Sequence, residues 1–92
     1  MKFQREDMMT EHYEWAGEEF SGEPSRRVFN RYNGHQVLFI INCYGSLVEN
    51  FSTNDGKEIE KEILSNLPLT IKSELSVFQW IRSMYSISDE KN

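Results

Sequence analysis

The sequence predicts an α+β fold in which an antiparallel β-meander of three or four strands is followed by two C-terminal α-helices. Three observations predict it: alternating polarity on both sides of Asn33-Gly34, a helical repeat over 55–67, and a more apolar helical repeat over 71–85. The 92 residues suit a single domain with a modest core, and 38% hydrophobic residues with 27% charged residues are typical of globular proteins.

The predicted meander is centred on a hairpin. Residues 27–32 alternate in polarity, and Asn33-Gly34 follows, a dipeptide that favours a type I′ turn because both residues tolerate positive φ. The returning strand is predicted over 35–44, with Val37, Phe39, Ile41 and Cys43 on its core face. A third strand is predicted over 47–53, so that the meander occupies 26–53. Within the acidic segment 1–24, residues 12–15 alternate in the manner of an edge strand.

Two helices are predicted in 55–86, before a short tail, 87–92. Asp55 and Glu58 have the spacing of a capping box, and Pro68 ends the first helix. The second helix, 71–85, carries apolar residues around more than half of its circumference. Either the N-terminal segment or the preceding helix covers this excess, or part of it binds a partner, with Trp80 and Met84 as the anchor.

Charge is distributed unevenly along the chain. The net charge is −5, which argues against general affinity for nucleic acid. Residues 24–44 nevertheless contain three arginines and no acid, and we predict a partner-binding surface on the basic hairpin. Its members are Arg26, Arg27, Asn30, Arg31, Tyr32 and His35. The alternative is that the arginines form salt bridges with Glu14, Glu18, Glu19 or Glu49.

An acidic surface is predicted before the hairpin. Its members are Glu14, Glu18, Glu19 and Glu23. They either solubilise the chain or, with the other N-terminal acids, imitate the phosphates of a nucleic acid and occupy a basic groove.

No catalytic residue, metal site or cofactor is predicted. His12 and His35 lack the spacing of metal ligands, and the five glycines form no phosphate-binding loop. The acid pairs Glu18-Glu19 and Glu58 with Glu62 fall in a loop and on a solvated helix face. No small-molecule substrate is expected either.

The sequence also carries an expectation about location. Cys43 is expected to be a buried thiol in a reducing compartment. With neither a signal peptide nor a membrane span in the sequence, we expect a cytoplasmic protein with no membrane partner.

The predicted hairpin at Asn33-Gly34, the separated charges and the two terminal helices together resemble phage anti-CRISPR proteins, in particular those that act on multi-subunit type I surveillance complexes. The resemblance implies a non-catalytic inhibitor, made by a phage or mobile element, that binds an RNA–protein effector in the host cytoplasm. It would block target DNA binding or guide pairing. The arginines would then face guide RNA or acidic protein.

Two alternatives come from other classes of function. One is an immunity or antitoxin-type protein whose acidic surface binds a basic nuclease. The other is a small homodimeric structural protein whose dimer buries the apolar excess of the last helix.

Overall fold

The computed structural model describes residues 3–8, 13–15 and 17–85. These residues form three α-helices, α1 (Gly34–Gly45), α2 (Thr53–Asn66) and α3 (Glu74–Tyr85), together with a 3₁₀ helix at Arg5–Asp7. In this part of the chain β-type pairing is limited to two isolated bridges, Glu14 with Asn33 and Val28 with Ser73. The fold is therefore all-α, and the predicted α+β fold with its β-meander is wrong.

Asn33-Gly34 begins a helix and does not form a hairpin turn. Asn33 has φ −88° and ψ 106°, whereas a type I′ turn requires positive φ at this position. Its side-chain oxygen accepts a hydrogen bond from the backbone N–H of Gln36 at 3.3 Å, which is the geometry of a helix N-cap. The predicted turn is thus the start of α1.

Helix α1 replaces the predicted strand 35–44 because its apolar residues also fit a helical period. The residues buried toward its neighbours recur at spacings of three and four: Val37, Ile40, Ile41 and Tyr44. Five consecutive apolar residues, 37–41, satisfy both a period of two and a helical period, and valine and isoleucine favour strands. Packing against both α2 and α3 decides the outcome in favour of the helix.

The two C-terminal helices coincide with the segments in which they are expected. Helix α2 begins at Thr53 rather than 55, because the capping box is formed by Ser52 and Asp55. The Asp55 N–H donates to Ser52 Oγ at 3.1 Å, and the Ser52 N–H donates to Asp55 Oδ2 at 3.0 Å. The predicted third strand, 47–53, is the irregular connection between α1 and α2, with the start of α2.

Contacts between helix ends give the directions of the helices. Gln36 and Glu74, in the first turns of α1 and α3, are hydrogen-bonded to each other, and Tyr44 contacts Tyr85 near the last residues of the same two helices. These helices are therefore parallel. Helix α2 runs antiparallel to them, because its first turns lie beside Tyr44 and Tyr85 and its last carbonyls lie beside Arg31. We call the end where α1 and α3 begin the Glu74 end, and the opposite end the Tyr85 end.

The N-terminal segment is attached to the helices by buried contacts. Phe3 is fully buried, and its backbone N–H and C=O both pair with the side-chain amide of Asn42, at 2.7 and 2.9 Å. The Tyr13 hydroxyl donates to the buried carboxylate of Glu60 at 2.8 Å. Phe3 and Tyr13 therefore belong to the core. No helix among the described residues has the length and apolar character needed to cross a bilayer.

Candidate partner-binding site

A buried carboxylate organises the Glu74 end. Glu74 is fully buried in the first turn of α3. Its Oε1 accepts from the backbone N–H of Ser25 at 2.9 Å, and its Oε2 accepts from Arg27 Nε at 2.7 Å and Gln36 Nε2 at 2.9 Å. Burial of a charge is costly unless it is paired and hydrogen-bonded, and here both oxygens are satisfied.

Gln36 fixes the segment that was predicted as the first hairpin strand. Its Nε2 also donates to the carbonyl of Val28 at 3.0 Å, and its Oε1 accepts from the N–H of Asn30 at 2.8 Å. The buried amide therefore connects the segment 25–33 to α1 and, through Glu74, to α3. Because Asn33 and Gln36 lie at the N-terminus of α1, this connection sets where the helix begins.

Arg27 and Arg31 are engaged by the fold. Beyond its pairing with Glu74, the Arg27 guanidinium lies 4.7 Å from the ring centre of Phe20. Arg31 donates to the carbonyls of Ile63 at 3.3 Å and Leu67 at 2.9 Å, at the C-terminal end of α2. A cation there satisfies terminal carbonyls and interacts favourably with the helix dipole.

The internal partners of the arginines differ from the expected ones. The ion pair that the described residues form is Arg27 with Glu74, rather than a pair with Glu14, Glu18, Glu19 or Glu49. Arg31 binds carbonyl oxygens instead of a carboxylate, while Arg26 is exposed. Arg27 also keeps 42% of its side chain exposed despite its pair with Glu74, so two of the three arginines reach the surface.

The other members of the predicted basic surface divide between surface and interior. Asn30 and Tyr32 are exposed, and the Asn30 side chain accepts from the Tyr32 N–H at 2.9 Å. His35 lies in α1, where Nε2 is 3.1 Å from the Trp15 carbonyl and the ring packs edge-on against the Trp15 ring. The structure therefore does not assemble the six residues into one basic surface.

A different surface emerges at the same end. The Phe29 N–H donates to the Lys72 carbonyl at 2.8 Å, and Glu74 N–H donates to the Arg27 carbonyl at 2.9 Å. These bonds, with that from the Leu75 N–H to the Ser25 carbonyl, align 25–29 antiparallel to 72–75. The side chain of Arg31 reaches the Leu67 carbonyl, just before the turn that contains Leu69.

Three apolar side chains are strongly exposed in and beside these two connections. Val28 is 76% exposed, Tyr32 is 55% exposed and Leu69 is 83% exposed, more than the other large hydrophobic residues described. Arg26 and Lys72 are exposed in the same two segments. We call the surface formed by Arg26, Val28, Tyr32, Leu69 and Lys72 the Val28 edge. Sequence patterns missed Val28 and Leu69, because neither belongs to a periodic apolar face.

The two residues of the predicted apolar anchor differ in exposure. Trp80 is partly buried and packs against the core, whereas Met84 is 37% exposed. Val77 and Ile81 are fully buried, so much of the apolar excess of α3 serves the core. The predicted acidic residues, in contrast, all lie at the surface: Glu14, Glu18, Glu19 and Glu23.

A cleft of about 540 Å³ lies between the N-terminal residues 3–6, the loop 19–22 and one side of α1. Cys43 lines it, and burial of the thiol raises its pKa to about 11, with a further contribution from the charge of Glu74. The thiol is therefore protonated at neutral pH, which makes it a poor nucleophile. Across the described ranges, no three His, Cys, Asp or Glu side chains are placed to share a metal ion.

No protein-family model matches the chain, and no curated protein or solved structure shows significant similarity to it.

Proposed function

We propose that the protein is a non-catalytic inhibitor that docks its Val28 edge on a multi-subunit RNA–protein effector of the CRISPR type and blocks target DNA binding. The host bacterial cytoplasm is the proposed site of action. The observation that carries the proposal is the exposure of Val28 and Leu69 beside Arg26 and Lys72. Large apolar groups concentrated on one edge and flanked by charges are typical of protein interfaces.

The energetics of the edge suit a protein partner. Burial of an exposed valine or leucine side chain contributes about 1.5–3 kcal/mol, so Val28 and Leu69 can act as a small hot spot. Arg26 and Lys72 add positive charge, which favours an acidic rim on the partner and accelerates association. Two cations are few for binding RNA alone, and we therefore propose a protein subunit of the effector as the main contact.

The structure changes the support for the resemblance. The hairpin that contributed to it is not formed by the described residues, and Arg27 and Arg31 make internal contacts. The charge separation and two C-terminal helices remain. The proposal therefore depends mainly on the Val28 edge. The small size and the negative net charge of the chain are consistent with it but do not carry it.

Inhibition of a purified type I surveillance complex tests the proposal. Binding of labelled target DNA is measured while the wild-type protein is titrated to a stoichiometric ratio. The matched variants are Val28→Glu/Leu69→Glu and Leu47→Glu. Leu47 is 50% exposed but follows α1, whose 12 residues place it about 18 Å from the Glu74 end.

We expect stoichiometric inhibition by the wild type and by Leu47→Glu. The double variant should require at least about 100-fold more protein, since two buried apolar contacts are replaced by charges. Circular dichroism establishes that each variant is folded. Lack of inhibition by the wild type, or equal inhibition by the folded double variant, would refute the proposal.

The exposed carboxylates favour a second candidate, the immunity-type protein that binds a basic nuclease. Glu14, Glu18, Glu19 and Glu23 are exposed, and none of them forms an ion pair within the described part of the chain. Charge reversal of these four residues should abolish protection against such a nuclease while Val28→Glu/Leu69→Glu retains it. The opposite result would favour the effector inhibitor.

A further inference from the structure

The Tyr85 end contains a cavity of about 470 Å³ that the proposed docking does not use. Three aromatic rings line it: Tyr44, Phe51 and Tyr85. The Tyr44 ring centre is 6.1 Å from that of Phe51, at an interplanar angle of 69°, and 5.9 Å from that of Tyr85, at 55°. The rings are inclined to one another rather than stacked, so they form walls around the space.

The backbone fixes the position of one wall. The Phe51 ring packs directly against α1 at Gly45, where a Cβ atom would lie 2.7 Å from the ring. Phe51 is only 5% exposed, although it belongs to an irregular connection. The cavity is therefore framed by α1, by this connection and by the last residue of α3.

The remaining lining consists of Val48, Asn54, Ile59 and two carboxylates. Asp55 and Glu58, on the first two turns of α2, line the cavity and are exposed. In the described part of the chain neither forms an ion pair. The Ser52 N–H holds the Asp55 carboxylate at 3.0 Å, which limits its movement.

The electrostatic environment of Tyr85 is consistent with this charge. Burial, with smaller contributions from the charges of Glu62, Glu58 and Asp55, raises the pKa of its hydroxyl to about 12. The ring therefore stays neutral at physiological pH, and the carboxylates leave the cavity negative. A cation entering it would be favoured by the carboxylates and by the electron-rich faces of the rings.

We propose that this cavity binds an alkylammonium group, the head group of a lysine side chain. Aromatic rings favour a cation over a neutral group of the same shape, and carboxylates accept hydrogen bonds from its N–H groups. The cavity volume is within the range of small-ligand sites. The site lies at the opposite end of the bundle from the Val28 edge, so the proposal does not depend on the proposed function.

Titration followed by NMR tests the site. The probe is Nα-acetyl-lysine methylamide, whose side-chain ammonium group is free. The matched neutral probe is N-acetyl-norleucine methylamide, which has the same aliphatic chain without the ammonium group. Butylamine, in a third titration, separates a free amine from a lysine in a peptide. Binding of either amine with the neutral probe inactive supports the proposal, and tighter binding of the lysine derivative identifies a protein as the source.

Two variants locate the binding. Glu58→Gln removes one charge from an exposed position, and Tyr85→Leu removes a ring while keeping apolar bulk. Glu18→Gln, which removes a charge from the loop 17–30, is the control. We expect shift changes at Tyr44, Phe51 and Tyr85, an affinity about three times lower for Glu58→Gln, and one at least ten times lower for Tyr85→Leu.

Three results would overturn the inference. They are no binding of either amine to the wild type, equal binding of the norleucine probe, and unchanged affinity in Glu58→Gln. Because Glu58 is exposed, its substitution tests the site even if Tyr85→Leu fails to fold.

Discussion

The two ends of the helical bundle use charge in opposite ways. At the Glu74 end, a fully buried carboxylate is surrounded by donors from Ser25, Arg27 and Gln36, and the charge contributes to the fold. At the Tyr85 end, Asp55 and Glu58 are exposed beside aromatic rings. The comparison shows that the burial and the hydrogen-bond partners of a charged residue decide whether it stabilises the fold or remains available for binding. The net charge of its segment does not decide this.

The same distinction separates the three arginines. Arg27 and Arg31 bind atoms of α3 and α2, whereas Arg26 is exposed on the Val28 edge. A segment with three arginines in sequence therefore presents Arg26 and part of Arg27 at its surface, and Arg27 is at the same time paired with Glu74. The largest contribution of this segment to binding is expected from Val28 and not from the arginines.

The largest predicted effect on stability concerns Glu74. Glu74→Ala removes the acceptor for Ser25, Arg27 and Gln36, and we expect the free energy of unfolding to fall by about 3 kcal/mol. Glu58→Ala, at the Tyr85 end, should change it by less than about 0.5 kcal/mol. Urea denaturation of both variants measures the difference. If both variants lowered the free energy of unfolding equally, the distinction between a structural carboxylate at the Glu74 end and an exposed one at the Tyr85 end would be wrong.

An intermediate effect is predicted for Arg31. Arg31→Gln removes hydrogen bonds to the last carbonyls of α2, so that the free energy of unfolding should fall by about 1–2 kcal/mol. Arg26→Gln serves as the control and should remain within about 0.5 kcal/mol of the wild type. If Arg26→Gln were as destabilising as Arg31→Gln, the assignment of Arg31 to the end of α2 would be wrong.

The smallest effect is predicted at alkaline pH. Tyr85 has a pKa of about 12 in the folded chain against a usual value of 10.0, so the unfolded chain releases this proton first. Between pH 10 and 12 the native state binds more protons, and stability falls as pH rises. Tyr85→Phe should reduce this loss in urea titrations at pH 9, 10 and 11. An unchanged pH dependence would contradict the environment described for the hydroxyl.

The sequence predicts the positions of α2 and α3 to within about three residues, because both segments have a helical apolar repeat and Pro68 follows the first. The capping box predicted at Asp55 and Glu58 is wrong, since Ser52 and Asp55 form it. The β-meander predicted over 26–53 is wrong, because Asn33-Gly34 is compatible with both a hairpin turn and a helix N-cap. A capping signal was present: Gln36 stands three residues after Asn33, and buried residues recur at 37, 40, 41 and 44. Contacts with α2 and α3 on two sides of α1, which no local pattern contains, decide between the alternatives.

The candidate site was harder to predict than the helices. Glu74 could not be distinguished from a solvated acid, because its partners lie 38 to 49 residues away. Val28 is exposed in an antiparallel pairing of two connections, and Leu69 is exposed in the turn that precedes one of them. The cavity at the Tyr85 end likewise combines Tyr44, Phe51 and Tyr85 from three parts of the chain. Four members of the predicted basic surface are exposed: Arg26, Arg27, Asn30 and Tyr32.

Measuring inhibition and stability on the same two variants tests whether Arg27 and Arg31 hold the fold while the Val28 edge binds the partner. For Arg31→Gln we predict a lower free energy of unfolding and unchanged inhibition of the surveillance complex at a temperature where it is folded. For Val28→Glu we predict nearly unchanged stability and inhibition weakened at least about tenfold. Loss of inhibition in folded Arg31→Gln together with full inhibition by Val28→Glu would contradict the account.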